Sequence, residues 1–132
     1  MELITKQEEK INEIAKEYGL RLILLFGSRA SGKTHKESDY DIAYLPENIL
    51  SDDSANRLNV ALTGVFRCER VDTVDIKTAS PLLLYGIFRQ CQILFQQDNS
   101  DFSTYRAYAF KKFVEAKPLF EAKRDKLTSQ SL

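Results

Sequence analysis

Two short clusters in this 132-residue chain carry residue types suited to phosphate and metal chemistry. Gly27-Ser28 is followed, after ten residues, by Asp39-Tyr40-Asp41. Gly27 lets backbone approach a ligand with no Cβ in the way, and Ser28 adds a hydroxyl donor. Arg29-Ala30-Ser31-Gly32 reads as one short helical turn. The start of such a turn offers free N–H groups and a positive dipole end, which suit phosphate oxygens. Arg29 and Lys33 follow where they can neutralise phosphate charge or serve as plain surface residues. Asp39 and Asp41 open an apolar run, Ile42 to Leu45. On a strand, residues two apart share a face, so their carboxylates sit side by side. Like charges held that close call for a cation between them. Mg²⁺ takes carboxylate oxygens and completes its shell with water and substrate phosphates. A phosphate-binding turn beside paired carboxylates is equipment for phosphoryl or nucleotidyl transfer.

Such transfer needs a third acid, to hold the catalytic metal and to help deprotonate the attacking hydroxyl. The run Val71-Asp72-Thr73-Val74-Asp75-Ile76 offers two. Asp72 and Asp75 differ in strand parity, so only one can face Asp39 and Asp41. The residues alone leave that choice open.

These groups need a frame, and the punctuation of the chain supplies one. Thr5 to Glu8 fits a capping box with Thr5 as N-cap. Ile11, Ile14, Ala15 and Tyr18 then recur at helical spacing, and Gly19 closes the helix. Leu20–Phe26 and 38–45 read as strands flanking the motif loop, the second ended by Pro46. Asp52 or Asp53 caps a helix to about Phe66, with Leu58, Ala61, Leu62, Val65 and Phe66 as its stripe. A β-branched strand over 71–76 follows. Ser80-Pro81 starts a largely buried helix ending near Arg89, and 91–95 is a fourth strand. A last helix begins near Asp101 and runs toward Thr128, with Pro118 expected to kink or break it. The sum is an α/β (α+β) domain with a mixed four-stranded sheet and helices packed on it. Residues 1–128 form one domain and 129–132 a frayed tail.

Composition excludes several classes. Apolar residues at 43% and charged residues at 29% support a packed core rather than disorder. A formal net charge of zero gives no global field toward nucleic acid or anionic lipid. The apolar runs fall short of a membrane span, and the charged N-terminus is unlike a signal peptide, so a cytoplasmic protein is expected. Cys68 and Cys91 have no partner at metal-ligand spacing and read as small, partly buried thiols. His35, the single histidine, reads as solvated in the motif loop. From Arg106 to Lys126 there are seven basic residues against three acids. That basic helical end, interleaved with Tyr105, Tyr108 and Phe120, suits an acidic partner, an RNA, or simply solvent.

The pairing of Gly27-Ser28 with Asp39-x-Asp41 at this spacing resembles the signature of the polymerase-β-like nucleotidyltransferase superfamily. More narrowly, nearly the whole chain is similar to the minimal nucleotidyltransferases (MNT), small partners of HEPN-domain toxins. The resemblance implies a palm-like core and ATP as substrate, with its phosphates on Gly27 and Ser28. It implies two Mg²⁺ ions on Asp39, Asp41 and the third acid, which it selects as Asp72. It further implies AMP transfer to a tyrosine of a HEPN ribonuclease toxin, making the chain an antitoxin in a hetero-oligomer. A chain this short has no room for an added acceptor domain, so the acceptor arrives on a partner. Two other readings stand beside this one. One is neutralisation by binding alone, against which all three acids and the Gly-Ser pair are retained. The other is modification of a small, aminoglycoside-like molecule.

Overall fold

The computed structural model describes residues 3–27, 30, 40–67 and 70–130, the last five by their backbone alone. Residues 28, 29, 31–39, 68 and 69, with the expectations placed on them, therefore lie outside the described residues, His35 and Cys68 among them.

The first helix, α1, spans Thr5–Tyr18. Its N-cap is Ile4 rather than Thr5, and Gln7 rather than Glu8 reaches back, its Oε1 accepting from the Ile4 N–H at 3.2 Å. Gln7 also donates through Nε2 to the Val65 carbonyl, so a tertiary contact fixes which residue turns back. Gly19 ends the helix in the left-handed region, φ 64° and ψ 48°. That conformation turns the chain directly into strand β1, Leu20–Phe26.

Strand β2 spans Tyr40–Pro46 and runs antiparallel to β1, with Pro46 closing it opposite Leu20. Helix α2, Asp52–Phe66, is capped by Ser51, whose hydroxyl accepts from the Ser54 N–H at 3.1 Å. The two aspartates expected as caps occupy the first turn instead. There their charge complements the helix dipole. The 15-residue helix carries the chain across the sheet, so strand β3, Val71–Asp75, returns parallel to β2. Helix α3, Pro81–Arg89, starts on Ser80, whose hydroxyl accepts from the Leu83 N–H. Strand β4, Cys91–Gln96, pairs antiparallel with the free edge of β1. Helix α4, Asp101–Gln130, closes the described chain.

The sheet order is β3-β2-β1-β4. The inner strand β1 is covered on both faces, which explains its unbroken apolar run. Ile23 and Leu25 face α1 and α2, packing with Ile11, Ile14, Leu58, Leu62 and Tyr44. Leu22 and Leu24 face the other way, packing with Ala43, Leu45, Leu84, Ile87, Phe88 and Ala109. Leu58 and Leu62 of α2 are fully buried, and each stabilises the fold by roughly 1.5–3 kcal/mol through burial.

Two features of α4 go beyond the sequence pattern. Pro118 lies inside the helix and does not end it, and the helix continues to Gln130. Val114, one turn earlier, is 66% exposed, so the carbonyl that loses its donor turns to water rather than into a core. Asp101, expected only as a start signal, is 3% exposed. Its Oδ1 accepts from Arg21 at 2.8 Å and its Oδ2 from the Asp98 N–H at 3.0 Å. The first turn of α4 is thereby tied to the start of strand β1.

Candidate active site

The candidate site lies on one row of side chains across one end of the sheet. Asp41 is the register partner of Phe26 on β1 and of Asp72 on β3. Phe26 is in turn opposite Cys91 on β4. Register partners share a face, so Asp72, Asp41, Phe26 and Cys91 all stand on the side covered by α3 and α4. Asp41 is half-buried and Asp72 exposed, so the row is open at its acidic end.

The register between β2 and β3 decides between the two acids of β3. Asp75 is the register partner of Tyr44, which packs in the opposite core, beside α1 and α2. Asp75 Oδ1 accepts from the Lys77 N–H at 2.8 Å, so it caps the turn that ends the strand. Asp72 shares the Asp41 face and Asp75 does not. Asn59 of α2 holds this orientation. Its Nδ2 donates to the Val71 carbonyl at 2.9 Å and to Thr73 Oγ1 at 3.2 Å. With Val71 and Thr73 drawn toward α2, Asp72 between them points away. No local pattern in the sequence marks Asn59 for this role, beyond its being a polar residue next to Leu58 on a helix that buries its apolar stripe.

The turn after β1 sits against the Asp41 carboxylate. Gly27 has φ 77°, in the left-handed region where a side chain is strained. A Cβ built there would collide with Asp41 Oδ2 and lie 3.2 Å from its Cγ. The Gly27 carbonyl accepts from the Ala30 N–H at 3.2 Å, closing the turn. Glycine is thus required twice, for its conformation and for the approach of backbone to carboxylate. Ser28, Arg29, Lys33 and Asp39 lie outside the described residues, leaving Gly27, Asp41 and Asp72 as the placed members of the expected set.

Tyr40, between the two motif aspartates, turns to the other face and stacks on Phe66 of α2, ring centroids 4.5 Å apart. Its N–H donates to the Arg70 carbonyl at 2.9 Å. Those contacts lock the start of β2 beside the start of β3. At the apolar end of the row, burial pushes the Cys91 thiol up in pKa, against a smaller opposing effect of Arg106. Cys91 is therefore a protonated packing residue at neutral pH, as its sequence context suggests.

Hard carboxylate oxygens facing one side, beside a glycine turn, are a donor set that fits Mg²⁺. Among the described residues no cluster of three or more His, Cys, Asp or Glu side chains converges as a metal site. Asp41 and Asp72 are the two described carboxylates that share this face. No described helix is long and apolar enough to cross a membrane.

Comparison with known proteins agrees with this geometry. Residues 9–100 match the profile of the family described as "Polymerase beta, Nucleotidyltransferase". The chain is 36% identical over 86 residues to the "Protein adenylyltransferase MntA" of Shewanella oneidensis, covering 64% of this chain and 61% of that relative. It thus spans less than two thirds of the length of that protein. It is 23% identical over 120 residues to the protein of the same name from Aphanizomenon flos-aquae, covering 82% and 78% respectively. Among solved structures it resembles a chain of a toxin-antitoxin complex with AMP-PNP. That match has a TM-score of 0.80 and 27% identity, over 92% of this chain and 98% of the other.

Proposed function

The chain belongs to the polymerase-β nucleotidyltransferase family, and from that premise we propose that it transfers AMP from ATP to a tyrosine hydroxyl of a HEPN-domain ribonuclease toxin. It thereby acts as that toxin's antitoxin. The observation that carries the proposal is the contact between the Gly27 turn and the carboxylate of Asp41, with Asp72 in register beside it. A phosphate-binding turn and a metal-binding acid pair are built against each other at the open end of one sheet face. The names of the adenylyltransferase relatives and of the AMP-PNP complex point to the same chemistry.

Each residue has a role in this reading. Gly27 brings backbone N–H groups up to the triphosphate, and the Ser28 hydroxyl donates to it. Arg29 and Lys33 neutralise triphosphate charge. Asp39, Asp41 and Asp72 would hold Mg²⁺, which when bound neutralises triphosphate charge and polarises the transferring phosphoryl group. Asp72 is the exposed acid of the pair, which leaves it accessible to an acceptor. It orients the phenol hydroxyl and helps remove its proton. The hydroxyl oxygen attacks the α-phosphorus as the bond to the pyrophosphate oxygen breaks. Pyrophosphate leaves, and the phenol proton passes to the carboxylate or to solvent. Asn59 contributes indirectly, by keeping Asp72 on the correct face.

The test is the intact mass of a co-expressed HEPN-domain partner, with the wild-type chain and with Asp39→Ala/Asp41→Ala. Mass added in steps of one AMP, with the wild type alone, is the expected result. An unmodified partner that both versions neutralise equally would sink the enzymatic reading and leave neutralisation by binding.

A further inference from the structure

The distal half of α4 projects past the core that its proximal half helps to build. Ala109 is its last buried residue among the described side chains. From there to Gln130 the helix runs on for about 32 Å at the usual rise per residue. This overhang is not a uniformly polar face. Phe113 stacks on Tyr85 of α3 with ring centroids 4.0 Å apart, and Phe120 tilts against Phe113 at 6.3 Å. Phe113, Phe120 and Leu82, which is 57% exposed, floor a groove of about 570 Å³. Its rim is basic: Lys117, Lys123 and Arg124 line it against one acid, Glu121. Further back along the helix Lys111 and Lys112 lie 4.0 and 3.8 Å from Glu115, which offsets one of the two charges.

We propose that this groove, between the start of α3 and the distal half of α4, is the docking surface for the partner protein. Its occupant is an amphipathic helix of the partner with an apolar stripe and acidic flanks. The inference rests on the proposed function for the existence of the partner. The charge pattern selects the occupant. A second copy docked about a two-fold axis would set one basic rim against another, which like charges oppose. An RNA strand would use free aromatic faces for base stacking, but Tyr85 and Phe113 already stack on each other. An apolar floor with a basic rim suits a helix laid in a groove, apolar side down and acids outward.

The placement has a functional consequence. The groove sits at the N-terminal end of α3, whereas Cys91, just past the other end of α3, belongs to the row that holds Asp41. A partner held here leaves the acidic end of the sheet open. One segment of the partner docks while another presents its hydroxyl.

The test compares the wild type with Lys117→Glu/Lys123→Glu/Arg124→Glu, measuring affinity for the immobilised HEPN-domain partner at low and high salt. The expected result is a loss of about tenfold or more at low salt, with the salt dependence of the wild type largely gone. The KM for the partner rises while binding of Mg·ATP, read by calorimetry, stays unchanged. Unchanged partner affinity would overturn the inference. So would loss of self-association by light scattering, or loss of RNA binding, with partner binding retained. Circular dichroism checks folding. If the triple variant does not fold, Leu82→Ser tests the same groove through an exposed side chain, with the same outcomes. A wild type that neither binds nor modifies the partner would bring down the proposed function and this inference together. A wild type that does both, beside an equally tight variant, would bring down this inference alone.

Discussion

Replacing Gly27 by alanine tests the central contact of the site. Two costs can be worked from the structure. The first is backbone strain, because φ 77° is left-handed, and a residue with a Cβ loses roughly 1–2 kcal/mol there. The second is the collision with Asp41, whose Cγ and Cβ lie 3.2 and 3.4 Å from the new methyl, with Oδ2 nearer still. Restoring ordinary contact distances moves the carboxylate by about 1 Å. Overpacking of that kind costs about 1–3 kcal/mol when the neighbour cannot yield. Here Asp41 is only half-buried, so the lower end applies. The sum is about 2–3 kcal/mol, a fall in Tm of roughly 6–15 °C for a domain of this size. The effect on chemistry is separate. In the proposed role of Asp41 as a metal ligand, displacing its carboxylate by about 1 Å lowers the rate on the order of 100-fold, even well below the melting temperature. The assay pairs a thermal melt with AMP transfer to the partner, both in the wild type and in an Asp41→Ala background. With Asp41 truncated the collision vanishes, and the stability cost of the alanine shrinks to the strain alone, about 1–2 kcal/mol. A Gly27→Ala chain that is folded and transfers AMP at the wild-type rate would refute the reasoning. An equal stability cost in both backgrounds would show that the carboxylate contact contributes nothing.

Three further predictions concern the strands around the site. Asp72→Asn should lower AMP transfer by at least about 100-fold with little change in Tm. Asp75→Asn should leave transfer within a few-fold and cost about 1 kcal/mol, since it weakens only the acceptor for the Lys77 N–H; the opposite ranking in a rate assay would reverse the assignment. Tyr44 is raised in pKa by burial and then by Asp75. Its neutral form is the one the fold favours, so its contribution is intact below the unfolded tyrosine value of 10.0 and is lost as pH rises through the higher folded value. Alkaline unfolding monitored by far-UV circular dichroism should therefore be less steep with pH in Tyr44→Phe, and an unchanged alkaline limb would contradict this.

Much of the chain was legible because its signals are local. Gly19, Pro46 and Ser80-Pro81 act through φ preferences and hydroxyl caps within a few residues, so they mark element ends without knowledge of the fold. The apolar run from Leu22 to Phe26 announced a strand buried on both faces. Local signals failed where a distant group intervened. Gln7 replaced Glu8 at the start of α1 because the Val65 carbonyl lies within its reach. Pro118 sits inside α4 on a solvated stretch, and the helix runs past it as the expected span toward Thr128 requires.

The sequence by itself determined which residue types were present, at which spacing, and that Asp72 and Asp75 must face opposite sides. Only the tertiary structure decided which of them shares a face with Asp41. That choice depends on the register between β2 and β3, set by interstrand hydrogen bonds and by Asn59 reaching across from α2. The same holds for Arg21 and Asp101, 80 residues apart, whose pairing no local pattern contains. A period of two fixes relative direction within a strand. Absolute direction comes from the neighbour it is laid against.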